Sequence, residues 1–138
     1  MMAWTKDQEL AINEDGTNII VSAGAGSGKT AVLSERVLQK VLSGVHIDEL
    51  LIMTFTNAAA KEMKERIRKK LKENNLDEEV SLVDSSYITT FDSFSLSIVK
   101  KYHYLQNIPK SINITDQSLL DILKEEVMDE VFESFYTE

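Results

Sequence analysis

Residues Asn18–Thr30, NIIVSAGAGSGKT, run an apolar, β-branched stretch into a glycine-rich turn that ends in Gly-Lys-Thr. This order of residue types suits a triphosphate. Ile19, Ile20 and Val21 read as a strand buried on both faces of a parallel sheet. Gly24, Gly26 and Gly28 carry no Cβ, so successive backbone N–H groups can curl around phosphate oxygens at the positive end of the helix that follows. With Ala23, Ala25 and Ser27 they make up the cradle, Lys29 reaches the β- and γ-phosphates, and the Thr30 hydroxyl sits on Mg²⁺. Lys29 and Thr30 are therefore the residues expected to act on the reacting phosphate. Ala23 departs from the strict pattern, which has glycine there, while the Lys-Thr pair and the strand-turn-helix context are kept.

Gln8 stands ahead of this segment, on a short helix that leads into it. A carboxamide can pair with N6 and N7 of adenine, which selects ATP over GTP. It can equally serve as the capping-box partner of Thr5, three residues earlier, and the local pattern does not separate the two roles. Two further constellations end apolar runs. Thr54-Phe55-Thr56-Asn57 offers hydroxyls, an aromatic and an amide at a helix start, and Thr89-Thr90-Phe91-Asp92-Ser93-Phe94 repeats the arrangement. Hydroxyls and amides suit phosphodiester oxygens, and Phe55 could stack on a single-stranded base. Each constellation alone is also what strand-end capping and aromatic core look like; together, beside a phosphate cradle, they favour nucleic acid.

These groups need elements to hold them. Thr5-Lys6-Asp7-Gln8 has capping-box spacing and predicts a helix over Lys6–Ile12. The strand Asn18–Ala23 follows, then a helix over Gly28–Leu42 with Val32, Leu33, Val37, Leu38, Val41 and Leu42 on its buried face and Gly44 just past its end. Leu50–Phe55 is a second buried strand. Thr56 or Asn57 caps a helix to Glu73, Asn74–Glu79 is a polar connection, Tyr87–Phe91 is a third strand, and a helix covers Asp92–Tyr104. Strand and helix thus alternate, which predicts an α/β fold: a parallel sheet with helices on both faces. Ligands of such sheets bind beyond the carboxyl ends of the strands, so the phosphate turn, Thr54–Asn57 and Thr90–Ser93 are expected on one edge.

Composition narrows the classes. The 138 residues, 43% of them hydrophobic, suffice for about one domain and include no cysteine and two distant histidines, His46 and His103. Disulfides, thiolate nucleophiles and a histidine metal site are thereby excluded or disfavoured, and a reducing, cytoplasmic compartment is expected. No apolar run reaches the ~18 residues of a membrane span, and Met1–Leu10 is polar rather than basic-then-apolar, so no targeting segment is expected there. The net charge of −8 is uneven: Asp116–Glu138 holds eight acidic residues and one lysine, leaving the rest close to neutral. Lys61–Lys72 holds seven basic residues against Glu62 and Glu65, a solvated helix face or a phosphate-contacting surface.

Asp116–Tyr136 has another character. Leu119, Leu120, Leu123, Val127, Val131 and Phe135 recur at helical spacing, with Ile122, Met128 and Phe132 beside them, so the segment reads as one amphipathic helix capped by Thr115. Residues 116–136 are expected either to fold back onto their own domain or, the favoured outcome, to self-associate with a second copy. Asp129-Glu130 imitates the acidic pair of an ATPase strand end, but helical periodicity runs through it.

Trp4-Thr5-Lys6-Asp7-Gln8 through Ala11-Ile12, the phosphate turn, Leu51–Met63 (LIMTFTNAAAKEM) through Arg66-Ile67, and Thr89–Phe94 resemble, in order and spacing, the first four motifs of the UvrD/Rep-like superfamily 1 DNA helicases. Within that group, Ala23–Leu33, Asp92-Ser93-Phe94 and the stretch from Asn107-Ile108-Pro109 to Ile114-Thr115-Asp116 are most similar to the A-type subunits of bacterial helicase/nucleases of the AddAB or RexAB type. Many relatives have histidine at the position of Asp92, where a carboxylate is unfavourable beside a phosphate backbone.

The resemblance implies a RecA-like P-loop NTPase sheet, with residues 1–110 as the first part of the ATPase subdomain and 111–138 as the start of an inserted helical subdomain. It further implies a DNA helicase and exonuclease subunit that unwinds and resects broken duplex ends. On this reading Gln8 reads adenine, Phe55, Thr56, Asn57 and Thr90 touch the tracking DNA strand, and a second, B-type subunit is the partner. The acidic motif, second RecA-like domain and nuclease domain of such proteins are not in this sequence, so the chain is expected to be an amino-terminal piece, inactive alone. The residues by themselves also leave open a P-loop kinase or a regulatory nucleotide-binding module without a DNA role.

Overall fold

The computed structural model describes residues 4–16, 18–112 and 115–136, and Ile114, one of the residues carrying the resemblance, lies outside them. The chain divides into two compact units, Met1–Phe94 and Ser95–Glu138. In the first, helix α1 (Lys6–Asn13) is followed by the glycine-rich turn, helix α2 (Lys29–Leu42) and a short 3-10 turn at Ile47–Glu49. Strand β1 (Leu51–Thr54), helix α3 (Asn57–Glu73), helix α4 (Asp77–Leu82) and strand β2 (Tyr87–Thr90) complete it. Helix α5 (Phe91–Tyr102) begins in this unit. The second unit continues α5 into a 3-10 turn at His103–Gln106 and contains helix α6 (Gln117–Tyr136).

β1 and β2 pair in parallel, in the register Leu51↔Tyr87, Ile52↔Ile88, Met53↔Thr89 and Thr54↔Thr90. The crossover between them is α3 and α4. One face of the sheet is covered: Ile52 and Ile88 meet Met63, Ile67 and Leu71 of α3, with Val37, Leu38 and Val41 of α2 and the fully buried Ile47 and Val83 closing the core. The other face exposes Leu51, Met53 and Tyr87.

The architecture corrects three sequence expectations. Asn18–Ala23 joins no sheet, so the sheet has two strands rather than three. An apolar run becomes a strand only where neighbouring strands accept its N–H and C=O groups, and Ile20 here is 96% exposed. Second, the buried stripe of α2 is Ser34, Val37, Leu38 and Val41, spaced i, i+3, i+4, i+7; Val32 is also buried, but Leu33 and Leu42 fall on the flanks and are exposed. Third, part of the connection expected over Asn74–Glu79 is the helix α4, whose first turn, Asp77, Glu78 and Glu79, complements the positive end of its dipole.

In the second unit, α6 spans the expected length and all its described residues are exposed. Its start departs from expectation: the Asp116 carboxylate, not Thr115, accepts from the Ser118 N–H at 2.8 Å, and hydrogen bonds from the Ser118 side chain and then its N–H hold the Asp116 pKa below the usual range. Its apolar side chains spread broadly around the axis rather than forming one stripe.

Candidate nucleotide site and nucleic-acid edge

The capping box at α1 forms as its spacing dictates. The Gln8 N–H donates to Thr5 Oγ1 at 3.3 Å, and the Thr5 N–H donates to Gln8 Oε1 at 2.9 Å. The same side chain then leaves its helix: Gln8 Nε2 donates to the Ser27 carbonyl at 3.2 Å, tying α1 to the glycine-rich turn. A carboxamide has two N–H donors and two acceptor lone pairs, so one of each is spent on the protein and one of each remains. The two roles open from sequence are therefore chemically compatible.

In the turn, Gly26 and Gly28 take φ of +76° and +82°, a left-handed conformation that side chains with a Cβ resist. Ser27 Oγ donates to the Gly24 carbonyl at 2.8 Å and closes the loop. Gly28 is the N-cap of α2 and supplies no side-chain cap, and the first turn of α2 holds no acidic residue. The start of the helix is thus an uncapped positive end, unlike α1 and α3, which Thr5 and Thr56 cap. Lys29 folds back over the turn, its Nζ donating to the carbonyls of Ala23 at 3.0 Å and Gly24 at 2.6 Å. Ala25 and Thr30 are exposed beside it.

Beside the turn lies an open cavity of about 620 Å³, lined on the α1 side by Thr5, Gln8 and Ala11 and on the α2 side by Lys29, Val32 and Arg36. Arg36 Nη1 donates to the carbonyls of Ala11 at 2.9 Å and Ile12 at 3.2 Å. Lys40, one helical turn further on, pairs with Asp15 at 2.6 Å, and that bond holds the Asp15 pKa below the usual carboxylate range.

The Thr54↔Thr90 pairing brings the two other constellations to the same edge of the sheet. Phe55 follows the end of β1 and is 105% exposed, and Phe91, after β2, is 67% exposed. Thr56 Oγ1 accepts from the Ala59 N–H at 3.1 Å and caps α3, while Asn57 is exposed at its first position. Thr90 is set apart: it is 8% exposed, and its hydroxyl donates to Ser93 Oγ at 2.9 Å and accepts from the Ser93 N–H at 3.3 Å. Asp92 faces solvent. The phosphate turn is not part of this sheet; it is carried between α1 and α2.

The basic run of α3 is mostly ion-paired. Arg66 meets Glu62 at 2.6 Å, Arg68 bridges Glu65 at 2.7 Å and Asp84 at 2.5 Å, and Lys70 pairs with Glu35 of α2. Burial pushes the Glu35 carboxyl up, but the bonds from Lys70 and Gln39 outweigh it, and its pKa lies below the usual range. This is a solvated, salt-bridged helix face.

Sequence reasoning missed Arg36, whose only signal was a cation inside an amphipathic helix, and the contact between Gln8 and Ser27, which no local spacing encodes. Among the described residues no group of histidine, cysteine or acidic side chains could hold a metal ion, and no helix is long and apolar enough to cross a membrane.

Residues 4–137 match the family model described as the UvrD/REP helicase N-terminal domain. The chain is 45% identical over 147 aligned positions to the A-type subunit of the ATP-dependent helicase/nuclease of Oceanobacillus iheyensis, an alignment that covers 99% of this chain and 12% of that protein. It is 44% identical to the like-named protein of Geobacillus thermodenitrificans, with 96% and 12% covered, and 42% identical to that of Heliobacterium modesticaldum, with 96% and 10% covered. The chain therefore spans about a tenth of the length of these relatives.

Proposed function

Since the chain belongs to the UvrD/REP helicase N-terminal domain family, we propose that it is the ATP-binding portion of a bacterial, cytoplasmic ATP-dependent DNA helicase/exonuclease subunit that unwinds and resects double-strand breaks for recombinational repair. The observation that carries the reading is the uncapped start of α2 at the left-handed Gly28, with Lys29 folded across the turn onto Ala23 and Gly24. An ammonium resting on two carbonyls gains more from phosphate oxygens, which carry full charge.

Mg²⁺-ATP would be held as follows. Backbone N–H groups from Gly24 to Gly28 take the phosphates, Lys29 neutralises charge that develops on them, and Thr30 offers its hydroxyl to the metal ion, which supplies the Lewis acidity. The free lone pair and N–H of Gln8 suit N6 and N7 of adenine. The DNA contacts are Phe55, a stacking face, with Thr56 and Asn57 as phosphate donors; Thr90, occupied by Ser93, shapes the adjacent strand end. The RecA-like sheet is completed in a longer protein in which residues 111–138 begin a helical subdomain and a B-type subunit is the partner.

Calorimetric titration of Mg²⁺-ATP into the chain and into Lys29→Ala tests the reading. Binding that depends on Lys29 is expected. Equal affinity of the two proteins for ATP would defeat it.

A further inference from the structure

We propose that Arg36 is a positioning residue for base recognition: by holding the carboxyl end of α1 it fixes Gln8 where the nucleotide's adenine is read. The inference rests on the ATP reading of the site and deepens it.

Helix α1 has only eight residues, one of them buried, Ile12, and no basic residue in its last turn. Its final carbonyls have no intrahelical donor. Arg36 supplies one from α2, a single Nη1 shared between Ala11 and Ile12. Of the other ties, Gln8 Nε2 to the Ser27 carbonyl joins the side chain to the turn without holding the α1 backbone, and Lys40 to Asp15 lies beyond the helix end on an exposed carboxylate and in water constrains little. Arg36 therefore grips the α1 backbone itself, and it does so at Ala11, three residues from Gln8, or about 4.5 Å along the axis. Gln8, Ala11 and Arg36 line the same cavity.

The distance matters because a two-point contact with a base is unforgiving. Hydrogen bonds to a base edge hold over only about 2.7–3.2 Å, so a helix free to slide by about 1 Å loses the read-out while the phosphates, bound by the turn, are unaffected. Guanine carries a carbonyl where adenine carries its N6 amine, so the loss appears as lost discrimination between ATP and GTP. A lysine at position 36 still donates to one carbonyl, without the rigid planar fork, and should restore part of the effect.

The test is the affinity of the chain for ATP, GTP and inorganic tripolyphosphate, measured for the native sequence, Arg36→Met, Arg36→Lys and Gln8→Ala. The native chain is expected to prefer ATP by about tenfold. Arg36→Met should fall to within about twofold of equal affinity, as Gln8→Ala does, with Arg36→Lys between, while tripolyphosphate binding moves by less than about twofold in all of them. If Arg36→Met does not fold, the comparison of Arg36→Lys with the native chain decides. Arg36→Met, or Arg36→Lys where Arg36→Met does not fold, keeping the native ATP preference while Gln8→Ala loses it overturns the proposal alone. Loss of tripolyphosphate binding in parallel with ATP shows a merely structural role and overturns it too. A native chain that binds tripolyphosphate but does not discriminate ATP from GTP overturns the adenine reading of Gln8, and the proposal with it.

Discussion

Glu79 and His46, 33 positions apart, meet at 2.6 Å between Oε1 and Nδ1, and the other oxygen of the same buried carboxylate accepts from the Ile47 N–H at 2.9 Å. Helix α4 is fastened in this way to the turn that leads into β1. The bond from Glu79, and then its charge, raise the His46 pKa above its ordinary 6.5. A raised folded pKa gives stability that is fully present below the unfolded value and lost as pH climbs through the folded one.

Denaturant stability should therefore decline as pH rises above about 6.5, and His46→Gln should flatten that decline. A native profile as flat as that of the variant would show that the pair contributes nothing through charge.

Leu71 of α3 is fully buried in the core it shares with Ile52 and Ile88 of the sheet and with Val83. Leu71→Ala removes this packing and leaves a cavity, at a cost of roughly 2–5 kcal/mol. Urea unfolding of the variant measures it, and a loss under about 1 kcal/mol would mean that the core collapses to fill the space.

Phe55 and Thr56 are neighbours with separable roles. Thr56→Ala removes the α3 cap at Ala59 and should cost about 1 kcal/mol of stability. Phe55→Ala, at a fully exposed side chain, should leave stability almost unchanged and weaken single-stranded DNA binding by about 1–3 kcal/mol. Paired melting and fluorescence-anisotropy measurements separate them. A destabilised Phe55→Ala that binds DNA normally would reverse the assignment.

What the sequence showed plainly was whatever short-range chemistry determines. The Thr5–Gln8 box, the Thr56 cap and the matched ends of β1 and β2 all appear where spacing put them. Asn18–Ala23 failed because a strand is a property of its neighbours, and α4 was missed because its signal is the three acids at its start rather than apolar periodicity. Arg36 was invisible because its partners are carbonyls, which every residue carries.

The last expectation concerns α6. Leu119, Leu120, Leu123, Val127, Val131 and Phe135 are all exposed, and each large apolar side chain gains roughly 1.5–3 kcal/mol on full burial. Two copies of the helix can cover one another, and the breadth of the apolar surface leaves several faces on which to do so. Charge opposes this, because Asp116–Glu138 carries eight acidic residues against Lys124 alone, and Lys124 already pairs with Asp121 at 3.2 Å. Screening weakens like-charge repulsion between exposed groups once the Debye length shrinks from about 10 Å at 0.1 M toward 3 Å at 1 M salt. Self-association through α6 should therefore strengthen with salt, and Leu123→Glu should suppress it. Sedimentation at two salt concentrations is the measurement; a monomer under both, unchanged by the substitution, would rule the pairing out.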